Sequence, residues 1–126
     1  NEVLDFCGLK NVSSQIAGQL PILARKQLMI ATALVADPKL LMLDEPIGGL
    51  NRQEQGLIIR LLQDLNAAGI TLLIIEHVMS ALLSIANRLL ILDYGKVIFD
   101  GMASDAINDE NVLQAYLGTE AEAFRT

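Results

Sequence analysis

Two pairs of polar residues end apolar runs of the chain, and their chemistry suits work on a phosphate group. Asp44 and Glu45 end one run, and Glu76 and His77 end the next. One carboxylate can hold a hydrated Mg²⁺ while a second polarises a water for attack on a phosphate. A neutral imidazole can bridge a terminal phosphate and the attacking water. We therefore predict that Asp44 is associated with a metal and that Glu45 and His77 are catalytic.

Each pair also has an ordinary structural explanation. An isolated Asp-Glu more often closes a strand as an exposed acidic turn, and a single histidine is more often structural than catalytic. Glu76 fits a solvated or ion-paired acid better than a second base. The position of His77 at the end of a strand, after Asp44-Glu45 in the chain, favours the catalytic interpretation.

An alternation of strands and helices would bring both pairs to one edge of a sheet. Short unbroken apolar runs predict strands buried on both faces of a parallel sheet, joined by right-handed crossovers. Ligands bind beyond the carboxyl ends of such strands. The predicted strands are residues 40–43, 71–75, 89–92 and 97–99; the predicted helices are residues 2–9, 24–36, 52–68, 79–87, 103–108 and 111–117, with a loop over 11–20.

Two of these helices carry further signals. Asn51 can cap the helix that follows it, and Glu54 three positions later makes a variant of the capping box. The apolar residues of that helix that recur at helical spacing, and so predict its buried face, are Ile58, Leu61, Leu62 and Leu65. The corresponding face of the preceding helix comprises Leu28, Ala31, Thr32 and Val35.

Composition restricts the class of protein. The 126 residues allow one domain, and 52% of them are hydrophobic, enough for a core. A net charge of −6 without a basic cluster argues against a nucleic-acid partner. The single cysteine, Cys7, excludes a disulfide scaffold and fits a small buried thiol. Uncharged stretches are too short to cross a bilayer, so we expect a soluble, intracellular chain that can sit against a membrane protein.

The order of these features resembles that in ABC-type ATPases. Residues 36–46, Ala-Asp-Pro-Lys-Leu-Leu-Met-Leu-Asp-Glu-Pro, are similar to the Walker B segment, whose strand ends in a magnesium-associated Asp and a catalytic Glu. Residues 47–51 resemble the D-loop that follows it, and residues 71–77 resemble the next strand with its switch histidine. The D-loop positions that this resemblance places at the nucleotide are Gly49, Leu50 and Asn51.

Two later segments extend the resemblance. Residues 92–101 resemble the hairpin that closes the catalytic domain, and residues 111–118, with Ala-Tyr-Leu-Gly at their end, are similar to the C-terminal end of branched-chain amino acid importer subunits. The resemblance implies an α/β fold, the C-terminal portion of a P-loop NTPase domain with a mostly parallel sheet flanked by helices. It divides the chain into a helical and signature region (1–38), a Walker B to switch-histidine core (39–101) and C-terminal helices with a tail (102–126). The implied cofactors are ATP and Mg²⁺.

The chain also departs from the family pattern. It contains no Gly-x-x-x-x-Gly-Lys-[Ser/Thr], the loop that cradles nucleotide phosphates. The family's signature, Leu-Ser-Gly-Gly-Gln, falls on a segment without its serine or glycines, which would leave backbone N–H groups to contact ATP on a partner subunit. This signature segment comprises Leu20, Pro21, Ile22, Leu23 and Ala24. Val78 replaces the acid that usually follows the switch histidine.

The leading interpretation is an ATP-binding and hydrolysing subunit of an ABC importer, with branched-chain amino acids as the expected substrate. The expected partners are a second ATP-binding subunit and membrane-spanning permease subunits, and the expected location is the cytoplasmic face of the cell membrane. The phosphate loop is missing, so we expect the chain alone to be inactive. The alternatives are a non-catalytic regulatory or interaction module, favoured by the same missing loop, and an ABC-type ATPase of DNA repair or translation, disfavoured by low basicity.

Overall fold

The computed structural model describes residues 2–116, except for the side chain of Tyr116, and these residues form two compact units that meet in sequence between Glu76 and His77. The helices are α1 (Glu2–Phe6), α2 (Ile22–Leu34), α3 (Arg52–Ala67), α4 (Met79–Ile85), α5 (Ala103–Ala106) and α6 (Glu110–Tyr116). The strands are β1 (Leu40–Asp44), β2 (Thr71–Ile75), β3 (Arg88–Asp93) and β4 (Lys96–Met102), and short 3₁₀ turns cover Lys10–Val12 and Ala17–Gln19.

The first unit is built on a parallel pair of strands. β1 and β2 run in register from Leu40 opposite Thr71 to Asp44 opposite Ile75, and α3 connects them and contacts β2. The last residues of both strands therefore lie at the same edge of the sheet, as the order of strand, helix and strand requires.

Helix α3 is specified by local signals at both ends. The Asn51 side chain accepts the N–H of Glu54 at 3.0 Å, and the Glu54 carboxylate accepts the N–H of Asn51 at 2.9 Å, which completes a capping box. The helix ends before Gly69, whose φ of 97° lies in the left-handed region. Its buried residues are Ile58, Leu61, Leu62 and Leu65, the face that periodicity predicts.

The second unit is an antiparallel hairpin with three short helices against it. Tyr94 and Gly95, both with positive φ, connect β3 to β4 in the tight turn that matches the twist of a hairpin. Its core contains Met79, Leu89, Ile91, Ala103, Ala106 and Val112. On the exposed side, Arg88 donates two hydrogen bonds of 2.8 Å to Asp100, and these bonds lower the pKa of the Asp100 carboxyl below its ordinary value.

The structure corrects the predicted role of the third strand. Residues 89–92 were expected to add a third parallel strand, but β3 pairs antiparallel with β4. The two-residue turn brings these strands together locally, and β4 continues to Met102, beyond the predicted strand over residues 97–99. The hairpin that the family resemblance implies over residues 92–101 is therefore present, in a longer form.

The prediction that β1 and β2 are buried on both faces is wrong for the described residues. Leu41 is buried, whereas Met42 is 66% exposed and Ile75 is 61% exposed. The apolar residues on this open face are Leu40, Met42, Leu73 and Ile75. Each of these four side chains is at least 50% exposed, so the described residues of the first unit leave this face of the strand pair largely open.

The predicted face of α2 is confirmed only in part, because Ala31 is buried and Leu28 is partly buried while the other two residues are exposed. Helix α2 begins at Ile22, two residues before the expected start, and buries Ile30 and Ala31. Thr32 is exposed and Val35 is 76% exposed beyond the last helical residue. Cys7 is buried as expected, and burial raises the pKa of its thiol. Between residues 2 and 116, no helix has the length and apolar character needed to cross a membrane.

Replacing Asn51 by alanine removes the side-chain acceptor of the capping box. We expect Asn51→Ala to lower the free energy of unfolding by about 1 kcal/mol, the usual cost of losing such a cap, and Asn51→Asp to retain most of the stability. Urea unfolding followed by circular dichroism measures both. The matched control is Gln53→Ala in the same exposed first turn; an equal loss in the control would show that the cap does not stabilise α3.

Candidate functional site

The acidic pair lies at the carboxyl edge of the parallel sheet. Asp44 is the last residue of β1, opposite Ile75 of β2, and both Asp44 and Glu45 are exposed. Glu76 follows β2 at the same edge. The sheet thus brings Glu45 and Glu76 to one edge, as the sequence predicts for parallel neighbours.

The backbone at Glu45 has an uncommon conformation. Its φ is 46°, in the left-handed region that non-glycine residues occupy at a cost of about 1–3 kcal/mol. Hydrogen bonds to both of its backbone groups hold this conformation. The Glu45 N–H donates to Ile75 O at 2.9 Å, while the Glu45 carbonyl accepts from Gly48 N–H at 3.2 Å and from Lys26 Nζ at 2.7 Å.

The chain turns over residues 45–50, and two side chains of this turn are buried. Ile47 is 1% exposed and Leu50 is 7% exposed. Between them Gly49 takes a φ of 77°, which a residue without Cβ adopts at no steric cost. The Ile47 N–H donates to Glu76 Oε1 at 3.1 Å, so the end of β2 holds the turn that follows β1.

Two of the predicted D-loop residues have structural roles in this turn. The Leu50 side chain is buried, and the Asn51 side chain caps α3. Gly49 is exposed and has no side chain, so its contribution to a ligand would come from the backbone.

The signature segment leads directly into α2. Leu20 is buried, Pro21 precedes the first helical residue with φ −56° and ψ 160°, and its carbonyl accepts the N–H of Arg25 at 3.0 Å. The first N–H groups of a helix, here those of Ile22 to Ala24, have no acceptor inside the helix and carry the positive end of its dipole. Ile22 is 46% exposed at this position. The segment therefore offers amide donors beside aliphatic side chains and no hydroxyl.

His77 is the first residue of the second unit and is exposed. It follows Glu76 directly, after the last residue of β2, and precedes the start of α4 at Met79. Its catalytic role remains a prediction from its position in the chain.

Lys26 and Glu76 contribute contacts that the sequence analysis did not identify. The bond from Lys26 to the Glu45 carbonyl spans 19 positions, and the bond from the Ile47 amide to Glu76 spans 29 positions. Such contacts leave no periodic or motif signal. The only indications in the sequence are that Lys26 follows the signature segment and that Glu76 precedes His77.

The carboxylates of this region cannot form a complete metal site by themselves. Within residues 2–116, no three His, Cys, Asp or Glu side chains come together in a set that could hold a metal ion. Mg²⁺ commonly takes one or two carboxylates and completes its octahedron with phosphate oxygens and waters. The exposed carboxylate of Asp44 fits a shared site of that kind.

Comparisons with known proteins show which proteins the chain is similar to in sequence and in fold. No model of a known protein family matches the chain. It is 35% identical over 105 residues to the methionine import ATP-binding protein MetN of Carboxydothermus hydrogenoformans, covering 82% of this chain and 31% of that protein. It is 34% identical over 116 residues to LivG of Escherichia coli, a high-affinity branched-chain amino acid transport ATP-binding protein, covering 91% of this chain and 46% of LivG.

The chain is also similar in fold to solved structures of ATP-binding cassettes. An ATP-binding cassette of an ABC transporter in its ADP conformation superimposes with a TM-score of 0.83 at 30% identity, covering 93% of this chain and 48% of that one. The chain thus spans less than half the length of each of these proteins.

Proposed function

The chain is a homologue of the ATP-binding subunits of ABC transporters with part of their ATPase domain fold, and on that premise we propose that it carries the catalytic carboxylates of such a subunit. One observation supports this most directly: Asp44 and Glu45 lie at the carboxyl edge of a parallel strand pair whose other member ends at Ile75, with Glu76 next in the chain. In the complete subunit these groups would act on ATP whose phosphates are held by a loop that the 126 residues do not contain.

Asp44 and Glu45 are assigned different parts of the reaction. Asp44 is proposed to hold Mg²⁺, directly or through water, and the bound ion would neutralise charge on the phosphates. Glu45 is proposed to polarise the attacking water, since its backbone is fixed while its side chain lies at the exposed edge. Asp44 is the last extended residue of β1 and Glu45 has a left-handed backbone, so the two neighbouring acids have different backbone conformations and can take separate roles.

His77 and the signature segment complete the proposal. His77 would orient the water or the terminal phosphate of ATP as a neutral hydrogen-bonding group. The amides of Ile22 to Ala24 would face ATP bound to a second ATP-binding subunit, and Gly49, Leu50 and Asn51 would lie between the two subunits. The exposure of Ile22 at the start of α2 supports the assignment of these amides to ATP.

The transported substrate is proposed from the resemblance and the relatives. Branched-chain amino acid import is supported by LivG and by the similarity of residues 111–118 to that subgroup, of which 117 and 118 lie outside the described residues. The methionine import ATP-binding protein MetN is 35% identical, so amino acid import is common to these two relatives. ATP-binding proteins of lipopolysaccharide export and Nod factor export are also 30% and 34% identical, so the amino acid class rests on LivG, MetN and the C-terminal resemblance. We also propose that the partners are a second ATP-binding subunit and permease subunits, at the cytoplasmic face of the membrane. Residues 1–126 are proposed to be one continuous part of a single ATPase domain.

The second candidate is a non-catalytic interaction module. It is favoured by the loss of the signature hydroxyl and glycines. The two candidates differ in whether Glu45 affects turnover once a phosphate loop is present.

The first test compares the chain with a complete subunit that contains it. We expect the 126-residue chain alone to hydrolyse no ATP above background, because nothing holds the phosphates, and the complete subunit to be active. In the complete subunit Glu45→Gln should retain ATP binding and lose about 10²–10⁴-fold in turnover, the usual contribution of general-base groups. Steady-state ATPase rates and nucleotide binding measure this. An unchanged rate in the Glu45→Gln subunit would favour the non-catalytic module.

Replacing His77 tests its position at the strand end. We expect His77→Ala in the complete subunit to lower turnover while ATP affinity stays within about twofold, because an orienting group acts on the transition state. Equilibrium binding of a fluorescent ATP analogue and phosphate release give the two quantities. Loss of binding in a folded variant would instead make His77 a ground-state ligand.

The signature segment can be restored by substitution. If backbone amides suffice in this subgroup, the triple change Pro21→Ser, Ile22→Gly and Leu23→Gly should leave the ATPase rate of the complete subunit within about threefold. A large gain in rate and in ATP-driven dimerisation would show instead that the native segment is impaired. Glycines in the first turn also cost helix stability, so thermal unfolding accompanies the rate measurements.

A further inference from the structure

We propose that Lys26 and Glu76 are positioning residues that hold the left-handed backbone of Glu45 from two sides and so aim its carboxylate. The proposal rests on the proposed function, because it assigns these residues a role only through a catalytic Glu45. It is carried by two hydrogen bonds, from Lys26 Nζ to Glu45 O at 2.7 Å and from Ile47 N to Glu76 Oε1 at 3.1 Å.

Lys26 holds the carbonyl side of Glu45. Its ammonium group donates a charge-assisted hydrogen bond, which is shorter and stronger than a neutral one. The Lys26 residue is half-buried, so its position is restricted by packing along α2. The Glu45 N–H on the other side of the residue is already committed to Ile75. Both backbone groups of Glu45 are therefore tied to other elements of the first unit.

Glu76 accepts a hydrogen bond from Ile47, the first residue after Glu45 that has a backbone N–H. Pro46 follows Glu45 and has no N–H, so Ile47 provides the first donor after Glu45. Ile47 is almost fully buried, and a buried amide needs a partner. The Glu76 carboxylate supplies that partner from the end of β2.

These two bonds bear directly on the direction of the Glu45 side chain. A residue with φ of 46° is strained, and it stays in that conformation only while its surroundings hold it there. If either bond is lost, the backbone can relax toward negative φ, and relaxation at one Cα swings the carboxylate. The Glu45 carboxylate lies beside the backbone of Gly48, because a Cβ at Gly48 would stand 3.7 Å from Glu45 Oε2. Catalysis is sensitive to displacements on the order of 1 Å, which can cost about 10²-fold in rate.

The experiment uses four variants of the complete subunit and one control. Lys26→Met and Glu76→Ala remove the two bonds, whereas Lys26→Arg keeps a donor and Glu76→Gln keeps an acceptor oxygen. Lys39→Met, at an exposed lysine just before β1, is the matched control. We expect kcat to fall about 10–100-fold in the two removing variants, with KM for ATP within about twofold, and to stay within about threefold in the other three.

Two further measurements separate positioning from general stability. Amide hydrogen exchange over residues 44–50 should accelerate in Glu76→Ala and return to the parental rate in Glu76→Gln. In the Glu45→Gln background, Lys26→Met should cause no further fall in kcat, because both residues act through the same carboxylate. Thermal unfolding identifies any variant that fails to fold, and the two conservative variants then still test the proposal.

Each contrary result is distinct. If Glu76→Gln loses as much kcat as Glu76→Ala, the charge of Glu76 and not its hydrogen bond is required, and the proposal is wrong. If Lys26→Met leaves kcat unchanged, or lowers it as much in the Glu45→Gln background, Lys26 does not act through Glu45. If Glu45→Gln itself leaves turnover unchanged, the proposed function fails first, whatever the positioning variants do.

Discussion

The candidate site depends on one hydrogen bond at the end of the parallel strand pair. The Glu45 N–H donates to Ile75 O at 2.9 Å, which fixes the position of the Glu45 backbone. This bond joins β1 to β2 at their carboxyl ends, so that the chain leaves both strands at one edge of the sheet. Beyond it the chain turns left-handed at Glu45 and passes a proline without an N–H. Inside the turn the Glu45 carbonyl accepts the N–H of Gly48. Lys26 of α2 adds a second donor to that carbonyl, and Glu76 at the end of β2 supplies the acceptor for the Ile47 N–H.

Elements encoded by neighbouring residues could be predicted from the sequence. Helix α3 is an example, because its cap, its apolar face and its terminating glycine all lie within the same stretch of chain. β2 has the predicted bounds for the same reason, since an apolar run between turn residues defines a strand locally. The placement of Asp44 and Glu45 at a strand end followed from that pattern together with the parallel order of the strands.

The remaining features depend on residues that are distant in sequence. The left-handed φ of Glu45 is adopted because Lys26 and Ile75 hold it, and no property of glutamate predicts it. The face of α2 could be predicted only in part, because periodicity shows that a helix has an apolar side but not how much of that side is covered. The exchange of a third parallel strand for a hairpin reflects the Tyr94-Gly95 turn, whose local pairing overrides the alternation of strands and helices.

The open face of the parallel sheet connects stability with chemistry. Leu40, Met42, Leu73 and Ile75 line this face, and two-stranded parallel sheets without cover are uncommon because crossover connections normally bury both sides. The sequence likewise lacks the loop that would hold the phosphates of ATP, and the chain matches 46% of LivG. In an α/β domain, further strands and helices cover the sheet, and the loops at its carboxyl edge bind the ligand. Helices packed on this face would cover the four apolar side chains, and the loops that precede such helices would lie at the carboxyl edge beside Asp44 and Glu45.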